Sequence, residues 1–159
     1  MTAKSNAATK EAPLVVERTY DAPVALVWKA LTEPDSIRQW SFDMKGFAPR
    51  VGCEFEFIGG DPQGVQYVHK CRVTSVWPER KLAYTWRYEG YEGDSLVTFE
   101  LFPEGNRTRV KLSHEGLETF PKLPAFAREN FLAGWTQIVG TSLARFVEAG
   151  QRGETPHAR

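Results

Sequence analysis

The sequence predicts an α+β domain in which an antiparallel β-meander lays one face against a long C-terminal helix. Three observations carry this. The middle of the chain is dense in segments that alternate apolar and polar residues, turn residues punctuate them, and a wide apolar stripe at helical spacing runs through residues 129–148. With 159 residues, 42% of them hydrophobic, the chain suits one domain with a sizeable core.

In chain order, residues 1–12 are small and polar and read as a disordered tail, with the domain proper over 13–149 and a loose tail over 150–159. "LVVERTY" (14–20) is rich in β-branched residues and predicts the first strand. "DAPVALVWKALT" (21–32) predicts a helix capped by Asp21, with Val24, Val27, Trp28 and Leu31 at helical spacing. "DSIRQW" predicts a second short helix ending near Trp40. "VGCEFEF" alternates, with Cys53, Phe55 and Phe57 on one face, and "IGGDPQG" (58–64) predicts a turn. Strands follow at 65–77, 81–88, 95–102 and 108–114, the last two flanking the turn "PEGN".

An antiparallel meander buries one face and solvates the other. With Phe55 and Phe57 inward, parity also turns inward Tyr67, His69, Cys71 and Val73; Leu82, Tyr84 and Trp86; Val97, Phe99 and Leu101; Val110 and Leu112. Lys70, Arg72, Arg87, Glu100, Arg109 and Lys111 fall on the solvent face as cross-strand charge pairs. The closing helix, about Ala125–Glu148, presents Phe131, Trp135, Ile138, Ser142 and Phe146 to the sheet, with Leu132, Val139, Leu143 and Val147 alongside. It carries Gly134 and Gly140, each costing about 1 kcal/mol of helix propensity. Two readings fit them: close packing on the sheet, or room left for a ligand.

Composition excludes several classes. Twenty Lys plus Arg balance twenty Asp plus Glu with no basic run, so no nucleic-acid partner is expected. No segment has the length of a membrane span and the N-terminus has no signal-like apolar run, which predicts a soluble, cytoplasmic protein. Cys53 and Cys71 lack metal-site spacing and read as free thiols, so no metal site is expected. The common cofactor and hydrolase signatures are absent, and no cofactor is expected.

The words of the sequence resemble a known family. "ERTYDAPVALVWKALTEPDSIRQW", "VTSVWPERKLAYTW", "LVTFELFPEGNRTRVKLSHEG" and "GWTQIVGTSLARFVE" are similar, in order over residues 14–148, to the domain family named for the C-terminal half of the Hsp90 ATPase activator. That family is a branch of the START-like, birch-pollen-allergen-like (SRPBCC) superfamily. The resemblance implies a helix-grip fold, a curved sheet wrapped around the C-terminal helix, commonly with a cavity between them. The namesake carries an extra N-terminal Hsp90-binding domain where this sequence has residues 1–12. That departure argues against a co-chaperone role, leaving chaperone contact as the weakest partner expectation.

The expected site is that cavity, with apolar walls and a few polar tips. Its expected lining is Trp40, Phe42, Phe57, Tyr67, His69, Tyr84, Trp86, Phe99, Trp135 and Ile138, enclosing about 300 Å³ or more. His114 and His157 read as bland. His69 is the one histidine turned inward among aromatics. It cannot pair directly with Cys71, because residues i and i+2 on a strand are about 6.6 Å apart, beyond the reach of a general base. The expected function is therefore binding of a small hydrophobic or amphipathic molecule without covalent chemistry. The alternatives are a polyketide cyclase/aromatase-like enzyme, with His69 and Tyr67 or Tyr84 as acid–base groups, and an Hsp90-activator-like interaction module.

Overall fold

A computed structural model describes residues 11–41, 43–60 and 63–153. Strand β1 (Leu14–Tyr20) leads to helices α1 (Val24–Thr32) and α2 (Pro34–Trp40). Strands β2 (Glu54–Gly60), β3 (Gln66–Trp77), β4 (Lys81–Tyr88), β5 (Ser95–Glu104) and β6 (Arg107–Glu115) follow. Two 3₁₀ turns (Leu117–Thr119 and Pro124–Phe126) then lead into the closing helix. All six strands form one antiparallel sheet in the order β1-β6-β5-β4-β3-β2. This is the helix-grip fold.

The predicted parity holds across the sheet. His69, Cys71, Val73, Leu82, Tyr84, Trp86, Val97, Phe99, Leu101, Val110 and Leu112 are buried, and Lys70, Arg72 and Arg87 are exposed. A register shift between Val73 and Ser75 does not invert the faces, because it falls beyond the inward run of β3. On the solvent face Lys70 stands opposite Glu56 and pairs with it at 3.3 Å, while Arg109 bridges Glu17 and Glu104. Cys53 and Cys71 are buried free thiols.

Three local expectations are corrected. Helix α1 starts after Pro23 with no side-chain cap, and the Asp21 backbone N–H is instead taken by the Glu148 carboxylate at 2.9 Å. The expected turn at 58–64 begins later, because Ile58, Gly59 and Gly60 continue the ladder opposite Val68, Tyr67 and Gln66. Glycine is required at position 60: its φ is +146°, and a Cβ there would lie 2.5 Å from the Val65 carbonyl oxygen.

The third concerns the closing helix, which is two α-helices, α3 (Arg128–Gln137) and α4 (Leu143–Gln151), joined by a π-turn at Ile138–Ser142. Its buried stripe is Phe131, Trp135, Val139, Leu143 and Val147, with the smaller Ala144 and Ala149 also buried, while the expected Ser142 and Phe146 are half-buried. A strict spacing of four drifts about 40° per step around a 3.6-residue helix. The wider π-turn cancels part of that drift and keeps the stripe on the sheet. Strand β1 holds the turn: the Tyr20 hydroxyl donates to the Val139 carbonyl at 2.6 Å, and the Arg18 guanidinium donates to the carbonyl of Gly140. At the other end, Arg128 donates to the carbonyls of Ala12 (2.9 Å) and Pro13 (3.2 Å), so the chain is pinned from just before β1. The other residues of the expected tails, 1–10 and 154–159, lie outside the described residues, and α4 reaches Gln151.

Candidate functional site

A cleft of about 600 Å³ lies between the α3 half of the closing helix and the far end of strands β2, β3 and β4. The sheet contributes Gly59, Gly60, Tyr67, His69, Trp86 and Tyr88. The segment from Pro124 to Phe126 and α3 contribute Phe126, Asn130, Phe131, Gly134 and Trp135, and Ile138 closes the far side. It opens to solvent rather than being sealed as expected, since its rim carries glycines 59, 60 and 134 where side chains would otherwise close it.

Of the expected lining, Tyr67, His69, Trp86, Trp135 and Ile138 meet there. The others do not. Trp40 is 6% exposed and its indole N–H donates to the Ala30 carbonyl at 2.9 Å, joining α2 to α1. Tyr84 and Phe99 lie in the filled core, Tyr84 edge-on to Phe55 at 5.1 Å. Phe57 sits one layer back, stacked on the His69 ring at 4.3 Å. Phe42 lies outside the described residues.

The sequence reading missed Tyr88, Phe126 and Asn130 as lining residues. Tyr88 was reachable, because the parity that turns Trp86 inward also turns Tyr88 inward. Phe126 was not, because it lies in a proline-bounded turn with no period to read.

Two buried histidines organise the walls. His69 donates from Nδ1 to the Tyr67 carbonyl at 3.1 Å and is flanked edge-on by Tyr88 (4.7 Å) and Trp86 (4.9 Å). Burial lowers its pKa to about 4, despite hydrogen bonds to backbone that favour the charged ring. His114, which read as bland, is fully buried behind Trp86 and Trp135. Its tautomer follows from its partners: Ser95 Oγ donates its one proton to the Trp86 carbonyl at 2.7 Å, so it accepts from His114 Nε2 at 2.9 Å. His114 Nδ1 then accepts the Trp135 indole N–H at 3.0 Å. Burial lowers the pKa of His114 to about 3, so this relay is neutral.

Neither helix glycine is explained by packing. A Cβ at Gly134 or Gly140 would meet no atom within 4 Å. Gly134 instead leaves the cleft rim open, and Gly140 lies in the π-turn.

A larger hollow of about 940 Å³ lies on the outer face, among Lys45, Glu54, Glu56, Lys70, Arg72, Arg87 and Glu89. Its charges are arranged as a solvated sheet face, with Lys70 between Glu56 and Glu89. The inner cleft is the better candidate because it joins apolar walls to a few polar tips. Burial pushes the Cys71 thiol well above its ordinary pKa, so it is no nucleophile. Among the described residues no group of three or more His, Cys, Asp or Glu is placed to hold a metal ion, and no helix is long and apolar enough to cross a membrane.

Several solved structures share this architecture. The chain is similar to protein MLL2253 from Mesorhizobium loti, at 29% identity and TM-score 0.69 over 86% of this chain and 97% of that one. It is similar to CalU16 from Micromonospora echinospora, at 26% identity and TM-score 0.65 over 89% and 79%. DynU16, a protein of the dynemicin biosynthetic locus, shares the fold at 24% identity and TM-score 0.71 over 91% of this chain, which spans half of DynU16. No curated protein matches. The model of the family described as "Activator of Hsp90 ATPase homolog 1-like protein" matches residues 21–148, through both cleft walls, and the chain belongs to that family.

Proposed function

We propose that residues 13–149 act as one binding domain whose cleft takes a small hydrophobic or amphipathic molecule, without covalent chemistry. The observation that supports this most directly is the cleft itself: about 600 Å³, walled by aromatic rings, with no charged side chain in its lining. That volume lies within the usual range for small-molecule sites. The groups that border it are poor catalysts. His69 stays neutral down to about pH 4, and Tyr84, one of its expected partners, lies in the core.

A thermal-shift screen of lipophilic and aromatic compounds tests the reading, with native mass spectrometry of the purified protein. A ligand at a hundred times its Kd adds about 2.7 kcal/mol, a melting shift of roughly 5–10 °C for a domain of this size. A broad screen with no shift above a degree would sink it. A cyclase-like activity would instead show a pH–rate profile set by His69.

A further inference from the structure

Tyr88 is only 7% exposed, and its ring is enclosed by His69 and Phe126, both at 4.7 Å, Phe120 at 5.2 Å and Tyr67 at 5.8 Å. Its hydroxyl accepts the Trp86 indole N–H at 2.9 Å. A phenol oxygen has a proton to give as well as lone pairs, and among the described residues no protein acceptor takes that proton. The hydroxyl belongs to a residue of the cleft wall.

Building on the cleft as a ligand site, we propose that Tyr88 selects ligands bearing a carbonyl-type oxygen, donating its hydroxyl proton to that oxygen on a neutral molecule. Three features of the wall favour this class. Accepting from Trp86 polarises the Tyr88 O–H and makes it a better donor. Burial raises the pKa of Tyr88, so the hydroxyl stays protonated at any working pH. The lining holds no cation to offset the desolvation of a carboxylate or phosphate, so a neutral acceptor is preferred. The rings of the wall are packed on one another, Tyr88 on Phe126 at 4.7 Å and Trp86 on Trp135 at 5.4 Å, so they form one continuous apolar surface around the hydroxyl.

The test compares 9-fluorenone with fluorene, which differ by a carbonyl in place of a methylene. Binding of each to the wild-type protein and to Tyr88→Phe is followed by quenching of tryptophan fluorescence. The variant should weaken fluorenone binding about tenfold and leave fluorene within about twofold, the scale of one buried hydrogen bond. Equal losses for both compounds, or none for either, would overturn the proposal while leaving the cleft as a binding site. Infrared spectroscopy of wild-type protein with fluorenone gives a readout independent of the variant's folding. The bound carbonyl stretch should lie below its value in hexane, and a hexane-like stretch would overturn the proposal. Failure of both compounds to bind at their solubility limits would overturn the proposal and the cleft reading together.

Discussion

The two halves of the closing helix meet the same sheet in different ways. Helix α4 buries the aliphatic Leu143, Ala144, Val147 and Ala149 and packs against α1, α2 and β1. Helix α3 buries only Phe131 and Trp135, leaves Leu132 and Gly134 exposed, and borders an open cleft. Branched aliphatic side chains can fill an interior to crystal-like density. Rings opposed by glycines leave a slot. Between the halves the π-turn, held by Tyr20 and Arg18, sets the rotation of each helix separately.

Acid should separate the halves most strongly. The folded-state pKa values of His69, about 4, and His114, about 3, lie below the ordinary 6.5, so the unfolded chain binds more protons between those limits. Their contribution is complete above pH 6.5 and is lost as pH falls toward 4 and then 3, on the order of several kcal/mol in total. Urea melts from pH 7 to 4 should show falling stability, while tryptophan emission of the folded protein should change only below about pH 4, where His114 gains a proton and loses its bond from Trp135. Flat stability over that interval would mean that neither ring is buried as described.

Core truncations come next. Trp135→Ala should cost about 3–5 kcal/mol and Leu143→Ala about 2–5. Only the first should also weaken binding of a cleft ligand, measured by titration below each variant's melting temperature. Equal binding losses would erase the distinction between the halves.

Tyr20→Phe should cost about 1–3 kcal/mol by leaving the Val139 carbonyl buried without its donor. Amide exchange should speed up around residues 138–142 before it does in α4. The smallest effect belongs to Gly134→Ala. With no atom within 4 Å of the new methyl group, it should stabilise the fold by up to about 1 kcal/mol while narrowing the cleft mouth. Destabilisation would restore the packing reading of that glycine.

Most of the fold was legible because period-2 alternation is a local property. Once Phe57 was turned inward, it oriented His69, Trp86 and Val97 without further information. The π-turn was less visible, although the strict spacing of Phe131, Trp135, Val139, Leu143 and Val147 was its trace in the sequence. The site was legible in part. Parity gives the face of a residue and not its depth, so Tyr84 and Trp86 look equivalent, yet one lies in the core and the other in the cleft wall. The role of His114 was hidden because its partners, Ser95 and Trp135, are 19 and 21 residues away.

The clasp between Tyr20 and Val139 also sets a schedule for a growing chain. The two residues are 119 apart, and at roughly 5–20 residues per second a ribosome needs about 6–24 s to make the interval. Strand β1, made before the other elements of the domain, has no hydrogen-bonding partner until β6 is made and no closing helix above it until residues 128–151 follow. Through that wait "LVVERTY" is an unpaired β-prone segment, and Glu17 and Arg18 are the charges within it that oppose pairing with a neighbouring nascent chain.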